Sequence, residues 1–150
     1  EAVRLIDTPL GRALPLICYE GIFPGHVFRA GERPDYLLQI TNDAWFGEFS
    51  GPYQHLDQAR FRAAEQGLPL VRVANTGVST VIDMFGRSPV ATEIPLGRQG
   101  YKDSLVWSKG GITIYARFGD FPTIIGIFLI LCVLLVGERR NTIANQSTTS

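Results

Sequence analysis

The sequence predicts a mixed α/β layer fold with a membrane helix behind it, on three observations. Strand-length apolar runs at 13–17, 36–41 and 70–74 are separated by helical or turn segments. An apolar stripe at helical spacing runs through 52–66, between the second and third of those runs. Residues 121–137 then carry no charged side chain at all.

Residues 3–6 form a short apolar stretch, and Thr8-Pro9-Leu10-Gly11 is a turn signal. The run 13–17 reads as a buried strand that ends at Cys18. Residues 24–30 suit a short helix closed by Gly31, and Gly31-Glu32-Arg33-Pro34 is a loop. The run 36–41 is a second strand, and 42–51 is a loop rich in Gly, Asn and aromatics. In 52–66, Leu56, Ala59, Ala63 and Gln66 share one helical stripe, with Gly67 as the stop and Pro69 beyond it. Strands are expected at 70–74 and 78–83, joined by the turn Asn75-Thr76-Gly77, and a last short strand at 104–107.

Lys+Arg and Asp+Glu both number 14 in the 150 residues, so the net charge is zero. A neutral chain has no electrostatic case for nucleic acid. The two cysteines, Cys18 and Cys132, sit in such different settings that they make no disulfide framework. His26 and His55 read as surface or loop histidines, and no His/Cys/Asp cluster has metal-ligand spacing. No Gly-rich phosphate loop is present, so neither a metal nor a cofactor is expected. The first residue is Glu1, and the chain reads as a piece of a longer protein.

The uncharged run is apolar on every face and would span roughly 25 Å as a helix, the short end of a membrane crossing. Pro122 suits its first turn. Glu138-Arg139-Arg140 follow it, and the two arginines favour a cytoplasmic C-terminus. The expected division is a part outside the membrane at 1–119, a transmembrane helix at 120–138 and a polar, disordered tail at 139–150.

The candidate functional residue is Cys18, in Pro15-Leu16-Ile17-Cys18-Tyr19-Glu20-Gly21. An apolar strand delivers the thiol to the point where the chain turns, with a carboxylate two residues later. A cysteine attacks as its thiolate and needs a base or a positive charge close by. Glu20 is near in sequence, but from spacing alone a buried inert cysteine stays open.

Four segments carry a family resemblance. They are Ile17-Cys18-Tyr19-Glu20, Thr41-Asn42-Asp43-Ala44-Trp45-Phe46-Gly47, Gln54-His55 leading into Ala59-Arg60-Phe61-Arg62-Ala63-Ala64-Glu65, and Val73-Ala74-Asn75-Thr76-Gly77-Val78-Ser79. Together they resemble the nitrilase superfamily of carbon-nitrogen hydrolases, whose enzymes use a Glu-Lys-Cys set. More narrowly they resemble its apolipoprotein N-acyltransferase branch, over roughly residues 1–137. The resemblance implies the C-terminal part of an α-β-β-α sandwich domain. It also implies acyl transfer from a membrane phospholipid, through a thioester on Cys18, to the terminal amine of a diacylated apolipoprotein. Cys18, Tyr19 and Glu20 match catalytic positions, the Tyr19 backbone N–H as an oxyanion donor. Trp45 and Phe46 would border an acyl pocket. The implied setting is the bacterial inner membrane, with the catalytic part facing the periplasm.

The bland alternatives stay beside these roles. Glu20 can be a loop anchor, and Trp45 and Phe46 can be loop packing. Asn42, Asn75 and Thr76 suit turn chemistry, and Arg60, Arg62 and Arg72 suit structural ion pairs. The family's base glutamate and its lysine lie upstream of the cysteine. Of the residues before Cys18 only Glu1 is a glutamate and none is a lysine. The chain alone is therefore expected to be inactive. The rival readings are an amidase using the same cysteine, and a non-catalytic truncated remnant.

Overall fold

The computed structural model describes residues 4–28 and 31–147. Glu1, Val3, Ala30 and 148–150, which bear on several expectations above, lie outside the described residues. Two compact units divide at residues 116 and 117.

In the first unit, β1 (Ile6–Thr8), β2 (Gly11–Ile17), β3 (Tyr36–Asn42), β4 (Leu70–Asn75) and β5 (Thr80–Ile82) form one sheet in that order. The two edge pairs are antiparallel and the inner pairs β2–β3 and β3–β4 are parallel. The edges follow from short turns. Thr8 Oγ donates to the Gly11 carbonyl at 2.7 Å and accepts from Leu10 N–H at 3.2 Å, closing the predicted β1–β2 turn. The parallel pairs need crossovers. α1 (Pro24–Phe28) supplies one and α2 (Gly51–Gln66) the other.

Register explains the core. Leu14, Leu37, Leu70 and Ile82 pair across four strands and are fully buried. Leu56, Ala59 and Ala63 of the predicted α2 stripe join the same cluster, as does Val27 of α1. Gly67 ends α2 in the left-handed region at φ 62°, where glycine meets no Cβ penalty. The Arg33 guanidinium donates to the Gln66 and Gly67 carbonyls at 3.1 and 3.2 Å, satisfying the helix end.

The opposite face of the sheet is apolar and uncovered within this unit. Ile17, Ile40 and Val73 are register partners across β2, β3 and β4, and each is about half exposed.

The strand expected at 104–107 is absent. The segment 99–113 has no regular structure, and Leu105 is 88% exposed. Strand propensity without a partner edge does not make a strand. This segment is instead tied down by scattered contacts, among them Gly110 N–H to the Gly67 carbonyl at 2.9 Å, Arg33 to the Gly110 carbonyl at 2.9 Å and Lys109 to Asp35 at 2.6 Å. The strand expected at 78–83 shortens to β5, with Ser79 bridging to Ile94 instead.

α3 (Ile114–Phe118) crosses the boundary into the second unit. α4 (Phe121–Ser147) contains the whole uncharged run. No helix among the described residues is long and apolar enough to cross a membrane. The helix continues beyond that run as far as Ser147. Once a helix is nucleated, each further residue adds a hydrogen bond, and Glu138, Arg139, Arg140, Ala144 and Gln146 are good helix formers.

Candidate active site

The sheet turns polar toward the carboxyl ends of its parallel strands. One row beyond the leucine and isoleucine row, Leu16, Gln39, Arg72 and Thr80 are register partners. Gln39 and Arg72 share strand parity with Leu37 and Leu70, so they too point under α2. All four of this row are buried. Crevices at these strand ends are the usual sites of α/β sheets.

Cys18 is the first residue beyond β2 and starts a 3₁₀ turn, Cys18–Ile22. Its φ is +52°, a left-handed value that costs a non-glycine residue about 1–2 kcal/mol. Such strain persists only where the surroundings over-determine it. Ile17 N–H donates to the Glu20 carboxylate at 2.7 Å, and Phe23 N–H donates to the Glu20 carbonyl at 3.2 Å. The Gln39 amide donates to the Cys18 carbonyl at 3.4 Å. Gly21 lies so close to that amide that a Cβ would collide with it.

Behind the turn lies a buried polar network. Arg72 donates to Gln39 Oε1 and to Asp43 Oδ2, both at 2.5 Å, and to the Val78 carbonyl at 3.2 Å. Asp43 Oδ1 accepts from His55 Nδ1 at 2.8 Å and from the Thr41 hydroxyl at 3.2 Å. His55 Nε2 lies 3.3 Å from Gln39 Nε2. Burial pushes the Asp43 carboxyl up, but the His55 hydrogen bond and the Arg72 charge more than offset it, and its pKa ends below the usual carboxylate value. Burial lowers the Arg72 pKa, opposed by Asp43 and by Coulomb attraction to Cys18.

The Tyr19, Phe46 and His55 rings cluster on this network, with centroids 5.4–6.2 Å apart. Phe46 comes from the 3₁₀ turn Ala44–Phe46 that follows β3. Asn75 donates to Asn42 at 3.2 Å, and Asp43 N–H to the Asn75 carbonyl at 3.0 Å, so the ends of β3 and β4 are tied.

Of the residues singled out from sequence, the fold brings Cys18, Tyr19 and Phe46 together. Glu20 is engaged as an anchor of the Cys18 turn. Trp45 is 85% exposed. Arg60, Arg62 and Arg72 each hold carboxylates, and Thr76 occupies a left-handed turn position at φ 62°. His55 is corrected: it is 2% exposed, not a surface histidine. It lies four residues before Ala59, so it falls on the helix stripe that packs on the sheet. The His26 side chain lies outside the described residues. Gln39, Asp43 and Arg72 have no place in the site expected from sequence. Their signal is strand parity, which puts Gln39 and Arg72 inside among leucines. No group of three His, Cys, Asp or Glu able to hold a metal occurs among the described residues. A cleft of about 460 Å³ lies beside Val71, Val73, Arg98 and Lys102, but Cys18 does not line it.

The carbon-nitrogen hydrolase family model matches residues 1–126. The chain is 52% identical over 126 residues to the apolipoprotein N-acyltransferase of Rhodopseudomonas palustris, covering 84% of this chain and 23% of that protein. It is 53% identical over 128 residues to the enzyme of the same name from Bradyrhizobium diazoefficiens, covering 85% and 23%. The chain thus spans about a quarter of the length of these curated relatives. Among solved structures, Saccharomyces cerevisiae Nit3, a nitrilase-superfamily member, aligns with a TM-score of 0.52 at 23% identity, over 66% of this chain and 39% of that one. A mutant amidase from Nesterenkonia sp. AN1, with acrylamide added at its active-site cysteine, aligns at 0.51 and 21%, over 64% and 39%. These last two likenesses concern the fold alone.

Proposed function

Since the chain belongs to the carbon-nitrogen hydrolase family, we propose that it is the C-terminal part of an apolipoprotein N-acyltransferase and that Cys18 carries the acyl group. The observation behind the nucleophile is Cys18 itself, held at φ 52° on the turn that ends a parallel strand, its carbonyl accepting from the buried Gln39 amide. The identity of 52% across 84% of the chain directs the reading to acyl transfer rather than amide hydrolysis.

The chemistry runs in two steps, as covalent catalysis does. The Cys18 thiolate attacks the ester carbonyl carbon of a phospholipid. A C–S bond forms, the ester C–O bond breaks, and the lysophospholipid oxygen leaves with the proton that the upstream base glutamate took from the Cys18 thiol. The α-amine of a diacylglyceryl-cysteine then attacks the thioester. A C–N bond forms, the C–S bond breaks, the amine's proton passes to that glutamate and the thiolate returns. The Tyr19 N–H belongs to the first turn of a 3₁₀ helix, where backbone donors lack partners within the helix and suit an oxyanion. Phe46, packed on Tyr19 and His55, and the exposed Trp45 would border the acyl chain.

An upstream part of the protein supplies the base glutamate and the lysine in this reading. The half-exposed Ile17, Ile40 and Val73 row supports it, because a sandwich domain packs a second sheet on that face. Residues 1–119 are then the catalytic part on the periplasmic side and 120–138 the transmembrane helix. Residues 139–150 lie in the cytoplasm. The uncharged run within α4, at 17 residues the lower limit of a spanning helix, supports the membrane placement as a short crossing. The test uses the complete gene product in membranes with phospholipid labelled in its acyl chain. A hydroxylamine-labile label on Cys18, chased onto a diacylated lipopeptide and lost in Cys18→Ser, is the expected result. Turnover of simple amides without labelling refutes the proposal. The 150-residue chain alone should show no turnover.

A further inference from the structure

We infer that Gln39 is a positioning residue for Cys18, with its amide locked in one orientation by Arg72. The guanidinium has donors only, so the atom of Gln39 that it meets at 2.5 Å must be the oxygen. The amide nitrogen therefore faces the other way, toward the Cys18 carbonyl at 3.4 Å and His55 Nε2 at 3.3 Å. Its two hydrogens match those two acceptors. His55 Nε2 is then unprotonated, which puts the ring hydrogen on Nδ1, where Asp43 Oδ1 accepts it at 2.8 Å. The 3.3 Å approach of Arg72 to Nδ1 is a meeting of two donors and holds nothing. Asp43 completes the loop by accepting from Arg72 as well.

The loop therefore ends on the nucleophile's own backbone. Every member is at least nine-tenths buried, with Gln39 1%, Arg72 1%, Asp43 0% and His55 2% exposed. Cys18 sits at a φ that L residues avoid, and its carbonyl is held there by a donor whose direction an ion pair sets. Gly21 lets the turn close onto the same amide. Gln39 does not touch the reacting sulfur; it acts by holding the peptide that carries it.

The proposal rests on Cys18 as the nucleophile, and its test separates the two. The complete gene product is made with Cys132→Ser, so that Cys18 is the only cysteine of this segment. Gln39→Glu keeps the acceptor for Arg72 but sets a lone pair against the Cys18 carbonyl. Gln39→Met removes the donor with no new charge and little change of volume. Both variants should lower the rate of Cys18 acylation by phospholipid about tenfold to a hundredfold, as misplacement of a reacting group does, with KM unchanged and the folded protein retained. Labelling of Cys18 by iodoacetamide should slow in parallel. Either variant reacting at the parental rate by both readouts overturns the proposal. So does a loss that only tracks the loss of folded protein. If the parent forms no thioester from phospholipid, the functional reading fails, while the iodoacetamide rates still decide the role of Gln39.

Discussion

Replacing Asp43 with asparagine should be among the most damaging single changes in the first unit. The carboxylate takes four demands at once: His55 and Thr41 on one oxygen, Arg72 on the other, and the charge that balances a guanidinium with no solvent contact. The new amide can keep its oxygen toward His55 and Thr41, but its NH₂ then faces the Arg72 NH₂ donor across 2.5 Å. Removing one partner of a buried ion pair costs about 3–5 kcal/mol. At roughly 4 °C per kcal/mol for a unit of this size, the midpoint should fall by about 12–20 °C. Thermal unfolding followed by circular dichroism in detergent measures this. A second readout uses acid. The folded Asp43 pKa is depressed below the ordinary 3.8, so its contribution is present above that value and disappears as pH falls through the folded pKa. The parent should lose stability below about pH 4 more steeply than Asp43→Asn. Asp35 and Asp83 are depressed as well, so a residual acid slope should remain. A midpoint drop under about 4 °C, with unchanged acid slope, would refute the claim that this pair is buried and matched.

Three further outcomes follow from the same coordinates. Leu37→Ala opens a cavity in the four-strand leucine and isoleucine row and should cost about 2–5 kcal/mol in denaturant unfolding, whereas Leu105→Ala, at an 88% exposed position, should cost little. Gly77→Ala drives a Cβ into the Asp43 carboxylate and should destabilise by about 1–3 kcal/mol by the same assay, although its side chain is the smallest addition possible. Glu20→Gln retains an oxygen for Ile17 N–H and should keep most of the stability, while Glu20→Leu loses the anchor and about 1 kcal/mol; equal midpoints for the two would show that the contact does not hold the turn.

Much of the architecture is legible from pattern. The α2 stripe, the Gly67 stop and the first three buried strand runs all follow from spacing, because one buried face forces apolar residues onto one period. Segment 104–107 misleads because its β-prone residues say nothing about whether an edge is available to pair with. His55 misleads because its polarity outweighs its position: it sits on the buried stripe of α2, where a histidine needs partners rather than water.

Sequence alone picked out the candidate residues of the site. It marked Cys18 at the end of an apolar strand, with Tyr19 and Glu20 beside it, because a strand that ends at a turn leaves its last side chains at the sheet's rim. Only the tertiary structure decided what stands behind that thiol. Gln39, Asp43, His55 and Arg72 are scattered over the 33 positions of the chain that separate Gln39 from Arg72. Parallel register brings β3 and β4 side by side, and α2 lays His55 across them. Local pattern shows which face of an element is buried, but not which buried faces meet. That meeting is set by strand order and register, and here it places an ion pair and an oriented amide against the backbone of the cysteine.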